Sequence, residues 1–197
     1  RGLRGVGPVD QVLAVGERQV TADGARGGLA PVGGAVECAD EVIDKPFDDA
    51  LALKDFCSRI TVATVEFENI PRETLEEVAK CTDIHPSPAA ICICQNRERE
   101  KNFLRENNIP HTWFAVISSA ADLADAMREL NGPGVLKTTR LGYDGKGQAV
   151  IANAPAAMRA WEELGGVPLV LESFVEFDHE LSILAVRALT GEMAYYP

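Results

Sequence analysis

VLKTTRLGYDGKGQAVI, residues 135–151, is the stretch that decides the fold. Apolar runs at 135–136 and 149–151 predict two short strands joined by a polar loop rich in glycine. Glycine lets the backbone approach an anion closely, and Lys137 and Lys146 add positive charge at both ends of the loop. The pattern therefore indicates a hairpin that covers a phosphate, although most glycine-rich hairpins are only hairpins. It is not a Walker A loop, because the loop leads into a strand and not into a helix.

Composition and charge restrict the class of protein. The chain has 197 residues, of which 46% are hydrophobic, and a formal net charge of −11. This length is enough to bury a core in one or two domains. The negative charge argues against a nucleic-acid or anionic-membrane partner, and no apolar run is long enough to predict a membrane span. Arg1 and Arg4 are followed by no apolar segment, so we expect no secretory signal and a cytoplasmic location.

The cysteines favour the same location. None of the five lies in a CxxC pair, and we therefore predict reduced thiols. Cys92 and Cys94 could be interpreted as a metal-binding pair, but small buried apolar side chains are the better interpretation. The five positions are Cys38, Cys57, Cys81, Cys92 and Cys94.

Periodicity predicts alternating strands and helices, which is typical of the α/β class. Residues 1–38 are glycine-rich and show no period of 2 or 3.6, so no element or function is assigned to them. Predicted strands cover 39–43, 60–65, 169–171 and 181–186. Five helices are predicted. The first follows an N-cap at Asp48 or Asp49, the second runs from Pro71 to about Lys80, and the third covers 95–106. The fourth follows the capping pair Ser119 and Asp122, and the fifth covers 155–164.

Seven blocks in the chain resemble a known family in their order and spacing. They are VEFENIP (65–71), PSPAA (86–90), QNREREKNFL (95–104), NIPHTWF (108–114), VLKTTRLGYDGKGQ (135–148), LESFVEFDHELSILAVR (171–187) and GEMAYYP (191–197). The family is 5-(carboxyamino)imidazole ribonucleotide synthase, the ATPase subunit of phosphoribosylaminoimidazole carboxylase, in the ATP-grasp superfamily. The resemblance implies a doubly wound parallel-sheet (pre-ATP-grasp) domain, partial and covering 39–94, followed by an α+β ATP-grasp domain over 95–197. Residues 1–38 form an atypical segment before both.

The resemblance implies an ATP site. Lys137 and Arg97 would contact the nucleotide, the loop 142–148 would fold over the triphosphate, and Lys146 would lie closest to the transferred group as the candidate catalytic residue. Residues 172–175 would hold the adenine and its ribose, and Glu180 would accept from the ribose hydroxyls. The candidates are Arg97, Lys137, Gly142, Tyr143, Asp144, Gly145, Lys146, Gly147, Gln148, Glu172, Ser173, Phe174, Val175 and Glu180.

The pattern alone favours simpler interpretations of several of these residues. Glu66 and Glu68 follow an apolar strand, where a solvated loop is the usual finding. Arg97, Arg99, Lys101 and Arg105 are typical of a solvated helix face with i,i+4 ion pairs. Phe174, Val175 and Phe177 would be ordinary core residues. His179 is given no catalytic role.

The implied reaction joins ATP, bicarbonate and 5-aminoimidazole ribonucleotide in purine biosynthesis, through carboxyphosphate. Glu68, Tyr143 and Asp144 are the candidate residues for the ribonucleotide, and the full-length protein is expected to be a homodimer. The family also uses Mg²⁺, whose acidic ligands are expected beyond Pro197, so no ligand is assigned and the chain alone is not expected to carboxylate. Two alternatives stay open: another ATP-grasp ligase, such as a formate-dependent ribonucleotide transformylase, and a non-catalytic nucleotide-binding fragment.

Overall fold

Strands and helices alternate through much of the chain, as the periodicity predicts. The computed structural model describes residues 12–15, 43, 45–65, 68–130, 132–140, 142 and 147–196, with the backbone alone for 12–15. The strands are β1 Val12–Val15, β2 Val62–Val65, β3 Asp83–His85, β4 Phe114–Ile117, β5 Gly134–Thr138, β6 Gln148–Ile151, β7 Leu169–Ser173, β8 Leu184–Arg187 and β9 Met193–Tyr196. The helices are α1 Ala50–Arg59, α2 Arg72–Ala79, α3 Pro88–Cys94, α4 Arg97–Glu106, α5 Ala120–Leu130 and α6 Ala154–Glu163.

The first sheet is parallel, with strand order β1-β2-β3. Its central strand β2 places Ala63 between Leu13 of β1 and Ile84 of β3. Strand β1 was not predicted, because the four residues VLAV show no alternation of apolar and polar side chains that would mark a strand. The predicted strand at 39–43 lies almost entirely outside the described residues. The core of this part consists of Phe56, Ile60, Ala63, Ile70, Leu75, Val78, Ile84 and Ile91.

The second sheet is antiparallel, with strand order β4-β7-β5-β6. The hairpin predicted from residues 135–151 is confirmed: β5 pairs with β6, and Lys137 lies opposite Gln148. Strands β7 and β5 are the inner strands, and β7 is buried along most of its length. Helices α5 and α6 pack against this sheet. The shared core consists of Ile117, Leu123, Ala126, Leu136, Ile151, Ala157, Ala160, Leu169 and Leu171.

The capping residues predict the starts of α1 and α5 correctly, whereas two other predicted helix starts need correction. Asp49 caps α1 by accepting from the N–H groups of Leu51 and Ala52, both at 3.0 Å, as predicted. Ser119 likewise accepts from the Asp122 N–H at 3.2 Å. Pro71 is the N-cap of α2 and not its first helical residue, since its backbone is extended.

The second correction concerns the helix predicted at 95–106. The structure has α3 ending at Cys94 and a new helix, α4, beginning at Arg97. Asn96 separates them because its backbone is extended and its side chain accepts from the Arg99 N–H at 3.0 Å. Among the described residues, no helix combines the length and apolar character that a membrane crossing requires.

The prediction of reduced thiols is wrong for one pair. Cys57 near the end of α1 and Cys81 just after α2 form a disulfide. The packing of the two helix ends brings the Cα atoms to 5.9 Å, a separation that a disulfide can span. Cys92 is a buried free thiol, as the small-apolar interpretation expects, whereas Cys94 is free and exposed. The two cysteines are 24 positions apart and meet only through the packing of the helices. The absence of a CxxC motif therefore could not exclude this disulfide.

Candidate functional site

The site is built around Glu172, which β7 carries into the interior of the antiparallel sheet. Glu172 lies opposite Val135 of β5, and Lys137 is two residues further along β5 on the same face. Diagonal neighbours of this kind are close enough for long side chains to meet. The Lys137 ammonium accordingly donates to Glu172 Oε2 at 3.1 Å. The residue predicted to contact phosphates thus lies beside a residue predicted to hold the adenine.

Helix α4 supplies two more cations to the same carboxylate. Arg97 and Lys101 are four residues apart and share one face of the helix, which packs on β7. The Lys101 ammonium lies 3.1 Å from Glu172 Oε2, and Arg97 Nε lies 3.9 Å from Oε1. The interpretation of this face as solvated is therefore wrong for Lys101, whose side chain is paired inside the site.

The charges around Glu172 do not balance within this group. Three cationic side chains surround one carboxylate, which leaves a formal excess of two positive charges. Glu172 Oε1 is buried and accepts no hydrogen bond among the described residues. An excess of positive charge in a partly enclosed space attracts anions, so the arrangement suits a polyphosphate group.

Arg97 also fixes the start of α4 to the end of β5. Its backbone N–H donates to the Thr139 carbonyl at 2.8 Å, and its guanidinium donates to the Thr138 carbonyl at 3.1 Å. These bonds join the two stretches that the sequence analysis placed at the nucleotide. Arg97 therefore lies next to Lys137 and Glu172, and its predicted contact with the nucleotide stays a prediction.

A polar cleft opens beside Arg97 where the two sheet-bearing parts of the chain meet. Its volume is about 290 Å³ when the open solvent at its mouth is included. Its lining combines Glu68, the predicted substrate residue, with Arg97 and Gly142, predicted for the nucleotide. The full lining is Glu68, Cys94, Gln95, Arg97, Glu100, Thr139, Arg140 and Gly142.

Gln95 is a site residue that sequence reasoning missed. Its side chain is buried and donates from Nε2 to the carbonyls of Glu68 and Ile70, the latter at 2.6 Å. It therefore holds the turn that carries Glu68 against the start of α4. The signal for this role in the sequence is the position of Gln95 in the QNR motif, which ends at Arg97. A buried side-chain amide needs hydrogen-bond partners, and here the backbone carbonyls supply them.

The Cys94 thiol in the cleft is not prepared for nucleophilic chemistry. Desolvation raises its pKa above the ordinary value, and the carboxylates of Glu100 and Glu68 raise it further. Because the thiolate is the reactive form, a raised pKa keeps this side chain protonated and inert near neutral pH.

The glycine-rich loop is described at its two ends. Gly147 has φ +68°, in the left-handed region that the predicted role of glycine requires, and its carbonyl accepts from the Thr138 N–H at 2.8 Å. Gln148 begins β6 opposite Lys137, and Gly142 lines the cleft. Tyr143, Asp144, Gly145 and Lys146 lie outside the described residues, so their predicted roles stay predictions.

The segment after β7 departs from the interpretation as core. Phe174, Val175 and Phe177 are all exposed. Ser173 is held by its N–H, which donates to the Trp113 carbonyl at 3.0 Å, and the Phe174 N–H donates to the Pro133 carbonyl at 3.1 Å. Glu180 is exposed in the segment between β7 and β8. The apolar side chains that directly follow the buried Glu172 therefore face outward, where a flat apolar ligand could contact them.

Comparison with known proteins matches both parts of the chain. Residues 13–95 match the ribonucleotide synthetase preATP-grasp domain, and residues 102–197 match the ATP-grasp domain. The chain is 38% identical over 157 residues to N5-carboxyaminoimidazole ribonucleotide synthase of Pseudomonas aeruginosa, an alignment that covers 80% of this chain. The chain belongs to the N5-carboxyaminoimidazole ribonucleotide synthase family. The predicted family, and the order of a pre-ATP-grasp part followed by an ATP-grasp part, are confirmed.

Solved structures of the N5-carboxyaminoimidazole ribonucleotide synthase family share the fold. The Staphylococcus aureus synthetase complexed with ADP is 28% identical with a TM-score of 0.77, covering 83% of this chain and 44% of that one. The Aspergillus clavatus synthase in complex with ADP and 5-aminoimidazole ribonucleotide is 27% identical with a TM-score of 0.71, covering 82% and 42%. The chain spans less than half the length of these relatives, and 44% of the Pseudomonas protein.

Proposed function

We propose that this chain forms part of an enzyme that carboxylates 5-aminoimidazole ribonucleotide with bicarbonate and ATP, in purine biosynthesis. The observation that carries the proposal is the cationic group around Glu172 lying beside the cleft that Glu68 lines. A ligase of this type must hold a polyphosphate next to a second substrate. The cationic group and the cleft adjoin at Arg97.

The nucleotide side of the proposal assigns the phosphates to Lys137 and Arg97. Both side chains are only partly buried, so both can reach a ligand while they remain anchored near Glu172. The exposed apolar side chains of Phe174 and Val175 would lie against the adenine, and Glu180 would accept from the ribose. The loop 142–148 would close over the triphosphate, with Lys146 nearest the transferred group. Flat apolar contact combined with a few polar anchors is how nucleotide pockets usually bind.

The substrate side of the proposal assigns 5-aminoimidazole ribonucleotide to the cleft. The Aspergillus clavatus relative binds this ribonucleotide together with ADP. Glu68 is exposed in the cleft and its turn is fixed by Gln95, so its carboxylate is available to accept hydrogen bonds from the ribonucleotide. Tyr143 and Asp144 would contact it from the loop.

The proposed chemistry explains why the site needs a covering loop. Bicarbonate is a poor electrophile, and ATP would activate it by transferring the γ-phosphoryl group to give carboxyphosphate and ADP. The amine of the ribonucleotide then attacks the carboxyl carbon, and phosphate leaves. Water would hydrolyse the activated species, so a loop that excludes water protects the reaction. The cations around Glu172 would stabilise the negative charge on the transferred group.

Magnesium belongs to the proposal, but no residue is assigned to bind it. In the part of the chain that the structure describes, no group of three or more His, Cys, Asp or Glu side chains is placed to hold a metal ion. A homodimeric, cytoplasmic enzyme is the corresponding proposal for the whole protein.

The proposed function is tested by measuring ADP release by the whole protein that contains this chain. We expect release to require both bicarbonate and 5-aminoimidazole ribonucleotide, and the carboxylated ribonucleotide to accumulate with it. Formate in place of bicarbonate should give no turnover. Turnover with formate would instead indicate a transformylase, and nucleotide binding without any ligase activity would indicate a binding protein.

Lys137→Ala is expected to weaken ATP binding by about tenfold or more, because a charge-assisted interaction of about 1.5–3 kcal/mol is lost. The fold should persist, since Lys101 still pairs with Glu172. Calorimetric titration with ATP measures the affinity. Lys80→Ala is the matched control, because Lys80 lies at the surface, 67% exposed, and pairs with Glu77. Equal ATP affinity in Lys137→Ala and in Lys80→Ala would contradict the assignment.

A further inference from the structure

We infer that Lys101 is a positioning residue of the nucleotide site, which keeps Glu172 paired so that Lys137 can leave the carboxylate and contact a phosphate. This role rests on the proposed function for the identity of the nucleotide. The polyphosphate chemistry on which it depends comes from the charges of the site itself. Lys101 would act through Glu172 and Lys137 and would not touch the ligand.

The two lysines compete for one oxygen atom. Lys101 Nζ and Lys137 Nζ each lie 3.1 Å from Glu172 Oε2. One ammonium is enough to compensate a single carboxylate, and the second adds repulsion between like charges. An arriving anion therefore favours the arrangement in which one of the two lysines leaves Glu172 and turns toward the anion.

Burial decides which lysine stays. The exposed fraction of the side chain is 12% for Lys101, against 25% for Lys137 and 28% for Arg97, while that of Glu172 is 7%. The Lys101 side chain is the most buried of the three cations, where its helix α4 packs on β7. The side chains of Lys137 and Arg97 are more exposed to solvent. A polyphosphate arriving from solvent would therefore recruit Lys137 and Arg97, and Lys101 would remain on Glu172.

The energetic reason for a third cation follows from the burial of Glu172. A buried carboxylate that loses its partner is costly, because its charge is then neither solvated nor compensated. Without Lys101, the movement of Lys137 to a phosphate would leave Glu172 in that state. With Lys101 present, the carboxylate stays compensated in both arrangements, and Lys137 becomes available at little cost.

The test measures binding of tripolyphosphate and of ATP to the chain by calorimetry. We expect Lys101→Met to bind both about tenfold more weakly, because Lys137 is then retained by Glu172. Lys101→Arg, which keeps the charge, should retain most of the affinity. Lys80→Met is the control at a surface ion pair and should bind as the wild type does. If Lys101→Met does not fold, Lys101→Gln carries the same test, since its neutral amide tolerates the polar surroundings but cannot compensate the charge of Glu172.

A double-mutant cycle with Glu172→Gln separates positioning from simple charge loss. In the Glu172→Gln background no carboxylate retains Lys137, so adding Lys101→Met should change tripolyphosphate affinity little. A tenfold loss that persists in this background would show a general charge effect and overturn the inference. Unchanged affinity in Lys101→Met alone would overturn it as well.

The results for Lys101 and the results for the proposed reaction can be told apart. A chain that binds tripolyphosphate with the expected Lys101 dependence, in a protein that never carboxylates the ribonucleotide, supports the role of Lys101 and contradicts the proposed reaction. A carboxylating protein in which Lys101→Met changes neither affinity nor turnover supports the reaction and overturns the role of Lys101. A wild-type chain that binds neither tripolyphosphate nor ATP overturns the inference.

Discussion

Glu172→Ala is expected to lower the free energy of unfolding by about 3 kcal/mol, because it leaves cations around a buried position without their counter-charge. The estimate is at the lower end of the range for broken buried pairs, since Lys137 and Arg97 keep partial contact with solvent. Urea denaturation followed by circular dichroism measures the change.

Two further variants give this prediction its controls. Glu172→Gln keeps the shape and one carbonyl acceptor, so its loss should be smaller than that of Glu172→Ala. Glu77→Ala removes the partner of Lys80 at the surface and should cost at most about 1 kcal/mol. A loss in Glu172→Ala no larger than that in Glu77→Ala would show that the cations around Glu172 are already well solvated.

Local pattern predicted the elements that depend on neighbours in the sequence. The hairpin at 135–151, the cap at Asp49 and the capping pair at Ser119 and Asp122 all follow from short-range chemistry. The helix predicted from residue 95 begins two residues later, because Asn96 caps it and this cap was not recognised in the sequence. Strand β1 was missed because four apolar residues are too few to show a period.

Apart from Lys137, which the glycine-rich loop pattern already indicated, the candidate site could be predicted only from residues that recur in a family motif. Arg97, Lys137 and Glu172 were named from the resemblance, and the structure brings these three together. Lys101 was interpreted as part of a solvated face because spacing along a helix cannot show what the helix packs against. Its partner Glu172 is 71 positions away and meets it only once α4 lies on β7.

The same limit explains the apolar residues after β7 and the disulfide. Phe174 and Val175 read as core from composition, yet the strand ends at Ser173 and the chain leaves the sheet there. Cys57 and Cys81 come together through the packing of α1 and α2. Both outcomes depend on tertiary packing, which no window of the sequence contains.

Gly147→Val is expected to destabilise the fold by about 2–4 kcal/mol, through two separate effects. The first is conformational, because φ at Gly147 is +68° and a β-branched residue is strained there. The second is steric: a Cβ at Gly147 would come to 2.6 Å from Thr138 Oγ1 and 3.3 Å from its Cγ2. Thr138 is fixed on β5, with its hydroxyl donating to the Arg140 carbonyl at 2.9 Å, so it cannot move without losing that bond.

Two companion variants separate the effects. Gly165→Val introduces valine at φ +82° with no atom within 4 Å of the new Cβ, so it reports conformational strain alone. Thr138→Ala combined with Gly147→Val removes the steric part and should recover about 1 kcal/mol or more relative to Gly147→Val, measured against Thr138→Ala. Urea denaturation of the wild type, Gly147→Val, Gly165→Val, Thr138→Ala and the double variant measures the conformational and steric contributions to the free energy of unfolding. Equal losses in Gly147→Val and Gly165→Val, with no recovery in the double variant, would show that Thr138 yields freely and that the turn before β6 is not closely packed against β5.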